Sequence, residues 1–216
     1  MKVLVSVCCE PPYVHKRVVF ALLRLQNDPR YETTIILPTH KPYEQALNRV
    51  CKDLLTTYKD HDYWLNIDAD NPPVNNPLDL IELNKDMIGL PTPVWHDAVK
   101  GDQPVYWNAL EKKVGTDGWK PKHGEGLTEV DVVGSGCMLV HRRVIETVIR
   151  PWFMREYDDD GIVERGHDYL FCEKVQKAGF KVYSHFDYPC EHYNELGVHS
   201  VVQAFKALYE PMSGDK

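Results

Sequence analysis

The sequence predicts an α/β domain with a mostly parallel central sheet flanked by helices. Three observations carry this expectation. Strand-like and helix-like patterns alternate from Lys2 to Ile67, the signature of right-handed crossovers between parallel strands. The third strand-like run stops at Asp68-Ala69-Asp70, with Pro72 and Pro73 just beyond; prolines lack the N–H that a sheet ladder needs. No linker-like stretch or internal repeat divides the 216 residues, so a single domain is expected.

Each element has its own reason. Lys2 to Val7 alternates and is rich in valine, which predicts a strand. Cys8 to Pro12 reads as a loop. Val18, Val19, Leu22, Leu23 and Leu25 recur at helical spacing within Val14 to Leu25, and Asn27, Asp28 and Pro29 stop that helix. Thr33 to Leu37 is β-branched and apolar, a second strand. Tyr43 to Leu55 is a second helix with Ala46, Leu47, Val50 and Leu54 inward, and Tyr63 to Ile67 is the third strand. Beyond it the pattern predicts a short helix over Pro77 to Leu83, a strand over Met87 to Leu90, a loop over Pro91 to Asp102 and a strand over Pro104 to Leu110. Gly115 to Gly126, rich in glycine and lysine, is expected to fold over the site or move. Glu129 to Val133 and Cys137 to Val140 read as strands parted by Gly134-Ser135-Gly136. Those glycines permit a close backbone approach, or mark a plain bulge. Helices are expected over Arg142 to Ile149 and Gly166 to Ala178, the latter closed by Gly179. Asp158 to Gly161 reads as a solvated loop. A strand over Lys181 to His185 and an amphipathic helix over Val198 to Leu208 complete the chain.

Composition narrows the function classes. At 43% apolar and 26% charged, the chain is an ordinary globular one. Its formal charge of −7 argues against a broad nucleic-acid-binding face. Lys112, Lys113, Lys120, Lys122, Arg142 and Arg143 leave room for a local basic patch. No apolar run is long enough to span a membrane, and the first residues read as a strand rather than a signal peptide. Six scattered cysteines, with no C-x-x-C pair, suit buried thiols in a reducing compartment, which predicts a cytoplasmic protein.

In an open parallel sheet ligands bind beyond the carboxyl ends of the strands. Both the Cys8 to Pro12 loop and the Asp68/Asp70 pair fall on that edge. Alternation would turn Asp68 and Asp70 to one side of an extended chain. Two carboxylates held together there suit magnesium or manganese bound with a substrate phosphate; the plainer alternative is an acidic turn.

Four segments, in order, resemble the GT-A glycosyltransferases, especially the small family-two-like members. They are Ala46-Leu47-Asn48-Arg49, Leu65-Asn66-Ile67-Asp68-Ala69-Asp70, Val133 to Val140 followed by Arg142 and Arg143, and Gly166 to Cys172 with Lys177 to Tyr183. The second resembles the DxD motif, and the fourth the family's Glu-Asp helix with the strand after it. The likeness runs from Lys2 to about His192. Three departures stand out: His167 replaces the usual glutamate, Asn48 precedes its arginine rather than following it, and the first loop lacks the usual Pro-Thr-Tyr-Asn form.

The resemblance implies a GT-A-like single domain over 1–216, with a nucleotide-binding half (1–90) and an acceptor-binding and catalytic half (91–216). It implies a metal-dependent transferase moving a sugar from a nucleotide-diphosphate sugar, a UDP-sugar first among them, to a hydroxyl. Mn2+ or Mg2+ would be held by Asp68, Asp70 and His192. Cys8, Glu10, Asn48, Asp68, Ala69 and Asp70 would line the donor. Trp107, Gly134, Ser135, Gly136 and His167 would line the acceptor, and Asp168 would be the general base. A base on the far face of the anomeric carbon implies inversion; if Asp168 is not the base, retention stays open. Tyr106, Trp107 and Trp119 are candidates for stacking on a sugar or for the core. The acceptor could be a saccharide, a glycolipid head group or a protein, and a hydroxylated nucleic-acid base is compatible. Two other classes remain open: a nucleotidyltransferase acting on a sugar phosphate, and a noncatalytic nucleotide-sugar-binding module. Oligomeric state is not encoded in these patterns.

Overall fold

The computed structural model describes residues 1–8, 13–95, 105–115 and 118–193. The strands are β1 (Lys2–Ser6), β2 (Glu32–Ile36), β3 (Tyr63–Ile67), β4 (Met87–Gly89), β5 (Pro93–Trp95), β6 (Val105–Trp107), β7 (Ala109–Lys112), β8 (Trp119–Pro121), β9 (Leu127–Glu129), β10 (Val132–Val133), β11 (Cys137–His141), β12 (Glu156–Tyr157), β13 (Val163–Arg165) and β14 (Val182–His185). The helices are α1 (Lys16–Gln26), α2 (Tyr43–Thr56), α3 (Arg142–Thr147) and α4 (His167–Lys177), with a 3-10 turn over Pro77–Leu83.

Seven strands form the main sheet in the order β2-β1-β3-β11-β4-β14-β9. β2, β1 and β3 pair in parallel, and so do β4 and β14; β11 runs against both β3 and β4, and β9 against β14. The sheet is therefore mixed: parallel and antiparallel pairings number three each, and five of its seven strands point the same way. Its strands are apolar on both faces because both faces are covered. On β1, Val3 and Val5 pack with Val18, Leu22 and Leu25 of α1, while Leu4 packs with Leu47, Val50 and Leu54 of α2. On β3, Leu65 and Ile67 join the α1 side and Trp64 the α2 side. The period-2 reversal of side chains thus builds two cores from one sheet.

Several boundaries depart from expectation. The single strand expected over Pro104 to Leu110 is two, broken at Asn108. Its side-chain Oδ1 accepts the Thr92 N–H at 2.8 Å, and its backbone N–H donates to the Thr92 carbonyl at 3.0 Å. β6 accordingly pairs with β5, and β7 with β8 and β10. The loop expected from Pro91 contains β5, and the glycine-rich stretch expected over the site contains β8, hydrogen-bonded to β7. Glu129 to Val133 splits between β9 in the main sheet and β10 in the small one. The expected helix over Val198 to Leu208 lies outside the described residues. Among the described residues no helix is long and apolar enough to cross a membrane. Cys51, Cys137, Cys172 and Cys190 are buried free thiols, and Cys8 is buried as well.

Candidate functional site

The site grows from a polar thread through the middle of the sheet. The Trp64 indole N–H donates to Ser6 Oγ (2.8 Å), and Ser6 Oγ donates to Asn66 Oδ1 (2.8 Å). The Asn66 Nδ2 group donates to the Ser135 carbonyl (2.7 Å) and to the Tyr43 hydroxyl (3.2 Å), and Tyr43 donates to Asp68 Oδ1. Trp64, Ser6 and Asn66 are fully buried. One branch of donors, Trp64 to Ser6 to Asn66 to Tyr43, ends on the Asp68 carboxylate, and such chains polarise one another.

Asp68 and Asp70 are not placed by strand alternation. β3 ends at Ile67, and the two acids sit in a turn closed by the Asn71 N–H on the Asp68 carbonyl at 3.2 Å. Burial pushes the Asp68 carboxyl up to about 6; Asp70 adds to the rise, while the Tyr43 hydrogen bond and His192 oppose it.

His192 arrives from the far end of the chain. The Glu191 and Tyr193 N–H groups donate to the Pro72 and Asp70 carbonyls (3.1 and 3.0 Å), stitching 191–193 to the acidic turn. His192 Nδ1 lies 2.9 Å from the Pro93 carbonyl, which can only accept, so that nitrogen carries the hydrogen. Nε2 then faces Asp70 Oδ2 at 3.6 Å. A carbonyl on the other nitrogen is the usual support for a metal-ligating histidine. Among the described residues no three His, Cys, Asp or Glu side chains form a preformed metal cluster. The donor set present, carboxylate oxygens with one imidazole, fits manganese or magnesium in chemistry. Asn71 strengthens the fit: its side chain is 3% exposed and its Oδ1 has no hydrogen-bond partner.

Gly134-Ser135-Gly136 forms the floor between these groups. A Cβ on Gly136 would run into the Asn71 amide and stand 3.3 Å from Asp68 Oδ2; one on Gly134 would run into the Asn108 amide. Both glycines are therefore required for close approach, not for a bulge. Ser135 Oγ lies 3.0 Å from His167 Nε2. Burial holds the His167 imidazole below its ordinary range, against the pull of Asp168 and Glu44. Asp168 occupies the first turn of α4, and its Oδ1 accepts the Tyr169 N–H at 3.0 Å.

These groups share one cavity of about 300 Å³ lined by Asp68, Asn71, Gly134, Ser135, Gly136, His167, Asp168 and His192, with Tyr43 and Arg155 on its wall. It opens beyond the carboxyl end of β3. Three motifs distant in sequence converge there. Other expected residues lie elsewhere. Asn48 does not line this cavity: its Nδ2 donates to the Phe153 carbonyl (2.7 Å) and its Oδ1 accepts the Phe153 N–H (3.0 Å), which uses both ends of the amide. Cys8 is buried behind Asn66, 3.7 Å from Oδ1. Ala69 packs against the α1-side core and offers its carbonyl to the His15 N–H at 2.7 Å. Trp107 and Tyr106 pack on the α2-side core, and Trp119 meets Tyr169 edge-on at 5.5 Å. Glu10 lies outside the described residues.

The supposed basic patch is largely neutralised. Arg142 and Arg143 pair with Glu146 and Asp86 (both 2.6 Å), and Lys120 and Lys122 pair with Glu111 (2.9 and 2.5 Å). Sequence reasoning missed Tyr43, Asn71, Asn108 and Arg155. Asn71 had a signal, an amide set between the acidic pair and two prolines; Arg155 had none.

No family model and no curated protein matches the chain. Among solved structures, A197 from STIV is 17% identical over 89% of this chain and 85% of its own, with a TM-score of 0.61. A nucleoside-diphosphate-sugar pyrophosphorylase from Vibrio cholerae RC9 is 15% identical over 86% and 72%, with a TM-score of 0.44. CMP:2-keto-3-deoxy-manno-octonic acid synthetase complexed with CTP is 11% identical over 96% and 99%, with a TM-score of 0.46. The last two are too distant to bear on function. The likeness to A197 establishes a shared mixed α/β fold, and the glycosyltransferase likeness stays a resemblance of motifs.

Proposed function

We propose that the cavity takes a nucleotide-linked sugar and that the chain is a transferase acting on this donor. The observation that carries the reading is the convergence of Asp68, Gly134-Ser135-Gly136, His167-Asp168 and His192 on one cavity. Asp70 and His192 would hold a divalent cation, with Asp68 beside them. When bound, that cation supplies countercharge to the departing diphosphate.

Glycosyl transfer to a hydroxyl is the reading that the side chains favour. Asp168 lines the cavity as a carboxylate able to take the acceptor proton. Neutral His167, steadied by Ser135, can orient that hydroxyl. The described lining carries one strongly cationic side chain, Arg155, itself 3.4 Å from Glu44. That is little countercharge for a triphosphate substrate. Nucleotidyl transfer to a sugar phosphate is the second reading, since it uses the same arrangement of acids at a sheet edge. Two remote structural neighbours bear names from sugar-nucleotide metabolism, a likeness too distant to decide between the two.

The products separate them. Incubation with UDP- and GDP-sugars and manganese should release the nucleoside diphosphate, slowly even with water as acceptor. Release of pyrophosphate from a nucleoside triphosphate and a sugar phosphate would establish the second reading instead. Asp70→Ala should abolish manganese-dependent donor binding in calorimetry. A wild-type protein that neither binds nor hydrolyses any donor with any divalent metal would refute the proposal.

A further inference from the structure

A separate cavity of about 560 Å³ lies against α2, and its wall is basic: His40, Arg49, Lys52 and Arg150 surround it, with Trp152 at its base. The chain as a whole carries −7, so a cationic concavity runs against the average. Arg49 shares its charge with Asp53 at 3.0 Å. His40, Lys52 and Arg150 are exposed and have no carboxylate partner among the described residues. The Arg150 guanidinium lies over the Trp152 ring, 4.7 Å from its centroid. Trp152 is 4% exposed and anchored by its indole N–H on the Ile145 carbonyl at 2.9 Å. A guanidinium stacked on a fixed ring keeps its N–H edges free for a planar, multidentate anion.

Two elements contribute walls to both the cleft and the candidate site cavity. Tyr43 lines the catalytic cavity, while Gln45, Asn48, Arg49 and Lys52 of the same helix line the cleft. At about 100° per residue, Gln45, Asn48, Arg49 and Lys52 lie about 140–240° around the helix from Tyr43, so the cleft is on the opposite face of α2. The second wall is the 150–155 segment, with Arg150 in the cleft and Arg155 in the catalytic cavity. The Asn48 amide grips Phe153 midway along it.

We propose that this cleft is a binding site for a phosphate group, carried by a soluble ester or a lipid head group, on the face of α2 opposite Tyr43. The inference rests on the cleft's own charges and not on the transferase reading. Guanidinium, ammonium and imidazole donors around one concavity match phosphate oxygens, and Arg–phosphate bonds are charge-assisted.

The test leaves out donor and metal. In EDTA, inorganic phosphate is titrated by 31P NMR, and co-sedimentation is measured with vesicles containing about one-third phosphatidylglycerol in phosphatidylcholine. The double variant Lys52→Glu/Arg150→Glu should weaken binding by about tenfold or more, whereas Lys59→Glu/Lys113→Glu, an equal charge change at exposed positions elsewhere, should stay within about twofold. Binding of phosphate without vesicle association identifies a soluble phosphate ester. Vesicle association lost in the double variant identifies a lipid head group, with exposed Ile149 beside the cleft to meet the bilayer. Equal binding by wild type and double variant, binding of neither probe by wild type, or binding of a single-stranded oligonucleotide alone overturns the proposal. Failure of donor binding in the metal-containing assay removes the transferase reading and leaves the phosphate result intact.

Discussion

Replacing Asn48 by alanine separates the two roles open to that residue. In the structure its amide makes both hydrogen bonds to the Phe153 backbone, at 2.7 and 3.0 Å, and Phe153 is 1% exposed between Trp64 and Phe171. Truncation removes two hydrogen bonds and strands one N–H and one carbonyl in the core. Losing its partner costs each stranded group about 1–3 kcal/mol, the lost bond included, with the lower part of that range where water can reach it. The total expected is about 3 kcal/mol, or a fall in Tm of about 6–12 °C for a domain of this size. Urea denaturation should show a lower midpoint with an unchanged slope. Below the transition, the folded variant should bind donor and manganese as wild type does. Asn48→Asp should also destabilise, because it turns an acceptor oxygen on the Phe153 carbonyl. A variant of wild-type stability with weakened donor binding would refute this reasoning and return Asn48 to the donor site.

The remaining predictions concern the acidic turn and its floor. Asp68 is raised from 3.8 to about 6 in the fold, so between those values the metal-free native state holds a proton that the unfolded chain lacks. Stability in EDTA should therefore fall as pH rises through that window, by at most about 3 kcal/mol. Urea midpoints at pH 4 and 7 measure this fall, and an Asp68→Asn variant with an undiminished fall would assign it to other groups. Gly136→Ala drives a methyl into the Asn71 amide; it should cost about 1–3 kcal/mol and lower donor affinity, read by denaturation and calorimetry together. His192→Ala should weaken manganese binding by about tenfold or more without changing the urea midpoint by more than about 1 kcal/mol, and unchanged manganese affinity would remove it from the ligand set.

Much of the fold was legible because local patterns and tertiary demands agree. The Tyr63–Ile67 strand and the Tyr43–Thr56 helix fall where periodicity puts them. The strands over Cys137–His141 and Val182–His185 were legible too, but the short ones between Leu90 and Gly126 were not resolved correctly. β5 to β8 are three or four residues long, too short to show a period, and Asn108 breaks one by a side-chain hydrogen bond to a residue distant in sequence. The basic residues read as a possible patch are paired with Glu146, Asp86 and Glu111, because pairing depends on neighbours in space.

By itself the sequence determined the alternation of strand and helix, the two-sided burial of the sheet, and the acidic turn at a strand's carboxyl end. Those are properties of consecutive residues, set by backbone periodicity and by proline. Tertiary structure alone decided which side chains meet that turn. The Pro93 carbonyl selects the His192 tautomer, Gly136 admits Asn71 beside Asp68, and Phe153 engages the Asn48 amide. Each is a contact between segments far apart in the chain, fixed by how the sheet and its helices pack, and no local pattern encodes it.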